Sequence, residues 1–351
     1  MNDSTQQASR QPLFSLAVLL LVLLTAIVVF AAFIRIAAPD WPPTLSISMA
    51  TFVFLVGFST GQLIRWRFRM SLRATFLLFT VLIVICGAIA SRSFQARSQR
   101  RAVSSIVQSG GHVSYTLSKD SIGQGWFRSS SGLPLPNWLI DVFGMDFFAN
   151  VWGIYFGDNV SKKDDLSGVD FLDVDDVRFY QSRLSDAALT RIGSLDHLKT
   201  LGLRRVDLKD EDLSFLSELK KLEALFIDGN PKITDEAFAY LADLESLEHL
   251  WLDSTSVSLA EAIDGRAFRR LKSLNLGGTL VTDAQIKNLK LLTNLESLQF
   301  SRNQLTDDGI QELGELKKLR HLTLYNTPVT SEGVARLKKK LPNCEIYIDS
   351  L

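Results

Sequence analysis

Leu292-Thr-Asn-Leu-Glu-Ser-Leu-Gln-Phe300 and, 24 residues on, Leu316-Lys-Lys-Leu-Arg-His-Leu-Thr-Leu324 decide the fold of this 351-residue chain. Both follow the pattern L-x-x-L-x-x-L-x-L, with a phenylalanine closing the first. The same pattern opens at Leu195, Leu219 and Leu244 and, with phenylalanine in first place, at Phe268. Its third apolar position falls at Leu201, Leu225, Leu250, Leu274, Leu298 and Leu322, in steps of 24 with a single step of 25. Extending the register by 24 reaches Val177 upstream and Ile346 downstream, and Ile154-Tyr-Phe156 lies 23 residues before Val177 as a candidate ninth strand. A fixed period in this range marks a solenoid, in which no unit buries its apolar face alone and the leucines of stacked coils make one continuous core.

Each repeat also carries a second half. Thr234-Asp235, Thr282-Asp283, Thr306-Asp307, Thr330 and Ser185-Asp186 read as helix starts, because a hydroxyl caps exposed amides and an acidic neighbour suits the positive helix end. Ser258 with Glu261, and Thr282 with Gln285, have the spacing of a capping box. The extra residue in the step from Leu225 to Leu250 fits a bulge at Pro231-Lys232. The fold class expected is therefore α/β, a solenoid with parallel strands on the concave face and helices on the convex face.

The pattern resembles the leucine-rich-repeat family, in the V-T-D-x-G-L variety seen as Leu305-Thr-Asp-Asp-Gly-Ile310 and Val329-Thr-Ser-Glu-Gly-Val334. The resemblance covers about 169–351, a solenoid of about seven repeats. Arg69-Met-Ser-Leu-Arg73, Arg100-Arg-Ala-Val103, Gly110-Gly-His-Val-Ser-Tyr115 and Trp138-Leu-Ile-Asp-Val-Phe-Gly-Met-Asp-Phe-Phe148 are similar to segments of bacterial membrane-anchored repeat proteins of unassigned function, from which this chain differs by two additional apolar stretches. The resemblance implies a protein-binding scaffold and supplies no catalytic residue.

Ahead of the repeats come a short tail, 1–12, and a membrane portion, 13–90. Leu13 to Ile34 has no charge and is long enough for a bilayer core of about 30 Å. It exceeds the apolar run of a usual cleaved leader. Leu45 to Ile64 is less apolar but rich in small residues that suit helix contacts in a bilayer, with a surface hairpin as the other reading, and Ala74 to Ala90 is densely aliphatic. Three transmembrane helices are expected. The short loop with Arg65, Arg67, Arg69 and Arg73 belongs on the cytoplasmic side, although Arg92, Arg97, Arg100 and Arg101 beyond the third span bring a full count to a tie. A long domain translocates largely regardless of its charge, so an inner-membrane protein with an extracytoplasmic repeat domain is the expectation.

Residues 91–168 are read as a juxtamembrane linker and solenoid cap: a short helix from Arg101 to Gln108, a break at Gly110-Gly111, a strand from His112 to Tyr115, and a capping helix from Leu135 to Phe148. The acidic run Asp164, Asp165, Asp170, Asp173, Asp175 and Asp176 lacks the ordered spacing of a calcium loop and reads as a solvated linker.

Charge and motifs narrow the function. With 38 basic and 38 acidic side chains, the footprint of a nucleic-acid binder is missing. Cys86 and Cys344 suggest neither a disulfide framework nor a thiolate metal site. Gly123-Gln-Gly125 lacks the third glycine of a dinucleotide loop, there is no Walker lysine motif, and the four histidines form no H-E-x-x-H pair. Nothing like G-x-S-x-G is present. Neither catalysis nor a cofactor is expected.

Strand alternation points the leucines of L-x-L into the core and the residue between them onto the concave face. That column runs Tyr155, Arg178, Gly202, Phe226, Trp251, Asn275, Gln299, Thr323 and Tyr347. Within and beside it, Tyr180, Arg204, Phe226, Asp228, His249, Trp251, Asp253 and Tyr325 are the candidate partner-binding residues, since outward aromatics and arginine are the types enriched in binding hot spots. An N-terminal segment packing over Phe226 and Trp251 is the alternative. The leading expectation is a membrane-tethered scaffold that binds a protein or a surface polymer. The rival is a sensor or accessory subunit assembled with another membrane protein through the three spans.

Overall fold

The computed structural model describes residues 72–116, 149–157, 166, 169, 172–260 and 268–349. The first two expected spans, most of the arginine loop, the capping helix expected at 135–148, and Asp164, Asp165 and Asp170 lie outside the described residues. The chain divides into two compact units, 1–98 and 99–351. Helix α1, Leu72–Gln108, begins in the first and ends in the second, so the helix expected at 101–108 is the end of a longer one. The third expected span falls on its N-terminal part. Among the described residues no helix is long and apolar enough to cross a membrane.

The second unit is built on one ten-stranded sheet in sequence order: β1 Gly111–Thr116, β2 Asn150–Phe156, β3 Asp176–Tyr180, β4 Thr200–Arg204, β5 Ala224–Phe226, β6 His249–Trp251, β7 Ser273–Asn275, β8 Ser297–Gln299, β9 His321–Thr323 and β10 Glu345–Tyr347. From β2 to β10 every pairing is parallel. The register joins Ile154, Val177, Leu201, Leu225, Leu250, Leu274, Leu298, Leu322 and Ile346 in one row, the row that the period indexes, and β2 is the ninth parallel strand. Leucines of this row and of the row two residues on are 0–1 % exposed. Burying each such side chain contributes roughly 1.5–3 kcal/mol, which is why the coils stack rather than stand apart.

The upstream edge of the sheet is closed differently from the repeats. Strand β1 pairs antiparallel with β2, following a turn at Gly110, whose φ is +86°. Ala102 and Ile106 of α1 join the core there, and Gln99 Nε2 donates to the Ala149 carbonyl at 2.9 Å. Gly111 sits where an added Cβ would lie 2.6 Å from Phe156 and 2.7 Å from Ile106.

Opposite the open strand face run α2 (Asp186–Gly193), a 3-10 turn at Asp210–Glu218, α3 (Ala237–Leu241), α4 (Asp283–Ile286), α5 (Asp307–Ile310) and α6 (Ser331–Lys340). Ser185 and Thr330 cap their helices, accepting from Ala188 N and Gly333 N. Thr282 closes its box with Gln285 Oε1, which accepts from the Thr282 amide at 3.2 Å and hydroxyl at 2.6 Å. Asp186, Asp283 and Asp307 lie in the first turns of their helices as expected, and several of the aspartates have a further role between coils. Asp283 accepts Thr306 N and Oγ1 (2.9 and 2.6 Å), Asp307 accepts Thr330 N and Oγ1 (2.7 and 2.6 Å), Asp210 accepts Thr234 N and Oγ1 (2.9 and 2.7 Å), and Asp235 holds Ser258 N and Oγ with the amides of Leu259 and Ala260. Each carboxylate therefore ties its own coil to the next. Leu259 stands where the preceding coil would supply an aspartate to Thr282, and there Gln285 takes over.

Within three residues of the end of each strand from β3 to β9 the chain enters the left-handed region, at Gln181, Arg205, Gly229, Ser254, Gly278, Arg302 and Asn326 with φ between +50° and +72°, and Asp207 at +64° adds a second such residue in the turn after β4. Buried Asn230 accepts from the amides of Val206 and Leu208 and donates to the carbonyls of Leu203 and Ile227, joining two coils at the Pro231-Lys232 bulge.

Candidate functional site

Three columns of side chains leave the open face. The central one begins on β2 with Tyr155 and continues through Arg178, Gly202, Phe226 and Trp251, in direct register. Gly202 is the gap that organises it. With no side chain on β4, Arg178 reaches across, its guanidinium 5.6 Å from the Tyr155 ring centroid and 5.2 Å from that of Phe226. A Cβ at Gly202 would approach Arg178 Cγ to 3.0 Å. Beyond Phe226 the column stacks on: the Phe226 and Trp251 rings lie 4.3 Å apart at 21°. Such pairs contribute about 0.5–1.5 kcal/mol beyond burial, and a cation within about 6 Å of a ring adds attraction.

Asp176 holds the arginine's other side. Its two carboxylate oxygens accept from Arg178 Nε and Nη2 at 2.8 and 2.7 Å, a bidentate pair. Burial raises the Asp176 pKa against the pull of Arg178, and burial with the Asp176 charge pushes the Tyr155 hydroxyl up to about 12. Asp175 and Asp176 are buried at the start of β3, not the solvated linker that the acidic run suggests, because the chain enters the sheet there.

The eight candidate residues divide into groups. Phe226, Trp251 and His249 come together, with the His249 ring 5.9 Å from that of Trp251. Phe226 points to the open face as expected but is only 7 % exposed, because its neighbours in the column cover it. Burial lowers the His249 pKa. Arg204 Nε donates to both oxygens of buried Asp228 at 2.8 Å. Asp253, one strand on, has its pKa raised by burial and then by the Asp228 charge, and accepts from Asn275 Nδ2 at 3.0 Å. Tyr180 stands beside Arg205, whose guanidinium lies 5.7 Å from its ring. Tyr325 follows β9, about three strand spacings or 14 Å from the Trp251 strand, and is not part of the cluster.

Arg178, Asp176, Tyr155 and Gly202 belong to the cluster and are absent from the eight. Their signal was the column itself: an arginine followed by glycine and then phenylalanine at successive register positions. Among the described residues no group of three or more His, Cys, Asp or Glu side chains is placed to hold a metal ion. His249 and His321 share an outward column three strands apart.

A family model described as a leucine-rich-repeat region matches residues 178–349. Those residues belong to the leucine-rich-repeat family. No curated protein matches the chain in sequence. Among solved structures, internalin C2 from Listeria monocytogenes is 21 % identical over 59 % of this chain and 83 % of its own, with a TM-score of 0.42. An internalin, inlF, from the same organism is 18 % identical over 57 % of this chain and 62 % of its own, TM-score 0.42. A leucine-rich-repeat protein of Leptospira interrogans is 20 % identical over 52 % and 56 %, TM-score 0.38. A leucine-rich-repeat fold suggests an interaction scaffold, and the open face of this one carries the side chains described above.

Proposed function

We propose that this protein is a membrane-tethered interaction scaffold that binds a protein or a surface polymer through the open face of its leucine-rich-repeat region. One observation carries the reading: the column Arg178, Phe226 and Trp251, in which arginine and two aromatics are locked in place before any partner arrives. Pre-ordered aromatic and arginine side chains lose little entropy on association and are the usual carriers of binding energy.

The tether is supported by the apolar stretches 13–34, 45–64 and 74–90. On the N-terminal part of α1, Leu77, Val81 and Val84 are spaced along one face and are 67 %, 48 % and 65 % exposed, an apolar stripe suited to lipid or to a neighbouring helix. The short arginine-rich loop supports an inner-membrane location with the repeats outside the cytoplasm.

Cross-linking in intact cells, with the wild-type chain beside Trp251→Ala and Arg178→Ala, tests the binding. A cross-linked species lost in both variants while the purified variants keep the wild-type denaturation midpoint is the expected result. An unchanged cross-linking pattern refutes the assignment to this column. Protease added to the same cells before lysis digests the repeats only if they lie outside.

A further inference from the structure

The open face changes character after β6. From β3 to β5 its charged side chains pair with one another, Arg178 with Asp176 and Arg204 with Asp228, and Asp253 beside β6 is held from downstream by Asn275 and Arg302. Across β7 and β8 the three outward columns hold no charge at all: Ser273, Asn275 and Gly277, then Ser297, Gln299 and Ser301. On β9 the central position is Thr323, and Tyr325 and Tyr347, each 42 % exposed, stand at the downstream end.

Hydrogen-bonding capacity is unspent here. Among the described residues, the Ser273, Ser297 and Thr323 hydroxyls and the Gln299 carboxamide make no hydrogen bond to the protein, although each lies on the partly covered floor of the sheet. A hydroxyl offers one donor and two acceptors and a carboxamide two of each. The groups repeat with the strand spacing of about 4.8 Å, close to the rise of one pyranose along an extended glycan. A protein partner would find no charge to pair with on β7 and β8, and the one carboxylate of β10, Glu345, is already engaged by His321 at 3.4 Å and by the Tyr347 hydroxyl at 2.7 Å. A neutral sugar chain offers what the floor lacks: many hydroxyls for the amide and hydroxyl groups, and C–H faces for the tyrosine rings.

Resting on the reading of the open face as the binding surface, we infer that the polymer bound on β7 to β10 is a neutral glycan, held by Ser273, Ser297, Gln299 and Thr323 and stacked on Tyr325 and Tyr347.

The full-length chain, purified in a detergent without a sugar headgroup, is applied to arrayed neutral hexose and N-acetylhexosamine oligosaccharides, with anionic oligosaccharides beside them. A neutral oligosaccharide is bound, the binding survives 1 M salt, and Gln299→Ala and Tyr325→Ala each weaken it by about tenfold or more. Glu312→Ala, on the helix side, leaves it unchanged. Binding only of anionic sugars that salt releases, retention of binding in both floor variants, or binding of no sugar overturns the inference. If no sugar binds while the Trp251-dependent cross-link persists, the glycan assignment alone falls. Loss of both removes the scaffold reading as well.

Discussion

Asp283 holds the amide and the hydroxyl of Thr306 on the following coil, at 2.9 and 2.6 Å, and the same carboxylate lies where a side chain at Gly309 would have to go. A Cβ at Gly309 would sit 1.9 Å from Asp283 Oδ1, and one at Gly333 would sit 2.1 Å from Asp307 Oδ1. The T-D-x-G spacing therefore records one contact seen from both sides: the aspartate of one coil and the glycine that makes room for it on the next.

Gly309→Ala forces that carboxylate off Thr306 and destabilises the chain by about 2 kcal/mol, the scale of two charge-assisted bonds that are partly solvated. Asp283→Ala loses the same bonds. The double variant is then no worse than either single one. Chemical denaturation of the four proteins checks this, and additive losses refute the shared contact.

Asp235 is the most heavily engaged of these carboxylates. Burial works to raise its pKa, but Ser258 Oγ and the amides of Ala260, Ser258 and Leu259 outweigh burial and hold it below the usual 3.8. A carboxylate depressed in the folded state contributes stability that is present above 3.8 and lost as pH falls through the folded value. Asp235→Asn therefore lowers stability at pH 7 by about 1–2 kcal/mol, and the gap narrows below pH 4. A gap of constant size from pH 7 to pH 3 contradicts it.

The leucine rows were legible because their signal is periodic: Leu201 to Leu322 fix strand, register and neighbour at once. The Asp283 to Thr306 link was not, since a helix-end aspartate and a coil-bridging aspartate look alike until the next coil is placed beside them. Arg178 was visible in the column but undervalued, because its role depends on the missing side chain at Gly202. The antiparallel β1 has no repeat to announce it, and its pairing with β2 follows from geometry at one end of the sheet.

The left-handed turn position gives a third expectation. Arg302, at φ +62°, pays a steric cost there that glycine avoids. Its side-chain contacts are weak, 3.5 Å to Ser254 Oγ and 4.0 Å to Asp253. Arg302→Gly raises stability by about 0.5–1 kcal/mol, read as a higher denaturation midpoint at unchanged slope. A lower midpoint shows that the arginine's contacts outweigh its backbone strain.

Gly202 tests whether the order of the column matters for binding. Valine there places its Cβ 3.0 Å from Arg178 Cγ, with two methyl groups beyond it, so the guanidinium must leave the Phe226 ring. The core leucines on either side, Leu201 and Leu203, keep their places because the new side chain points to the open face. The fold then survives with a loss of about 1–2 kcal/mol. Arg178→Lys removes the same contact from the other end: the charge stays, but a lysine cannot form the bidentate fork to Asp176. If the locked column is the binding element, both variants weaken Trp251-dependent cross-linking by a similar, severalfold amount at matched folded protein. Weakening in Gly202→Val alone points instead to a partner that needs the open space above β4, and no weakening in either removes Arg178 from the site.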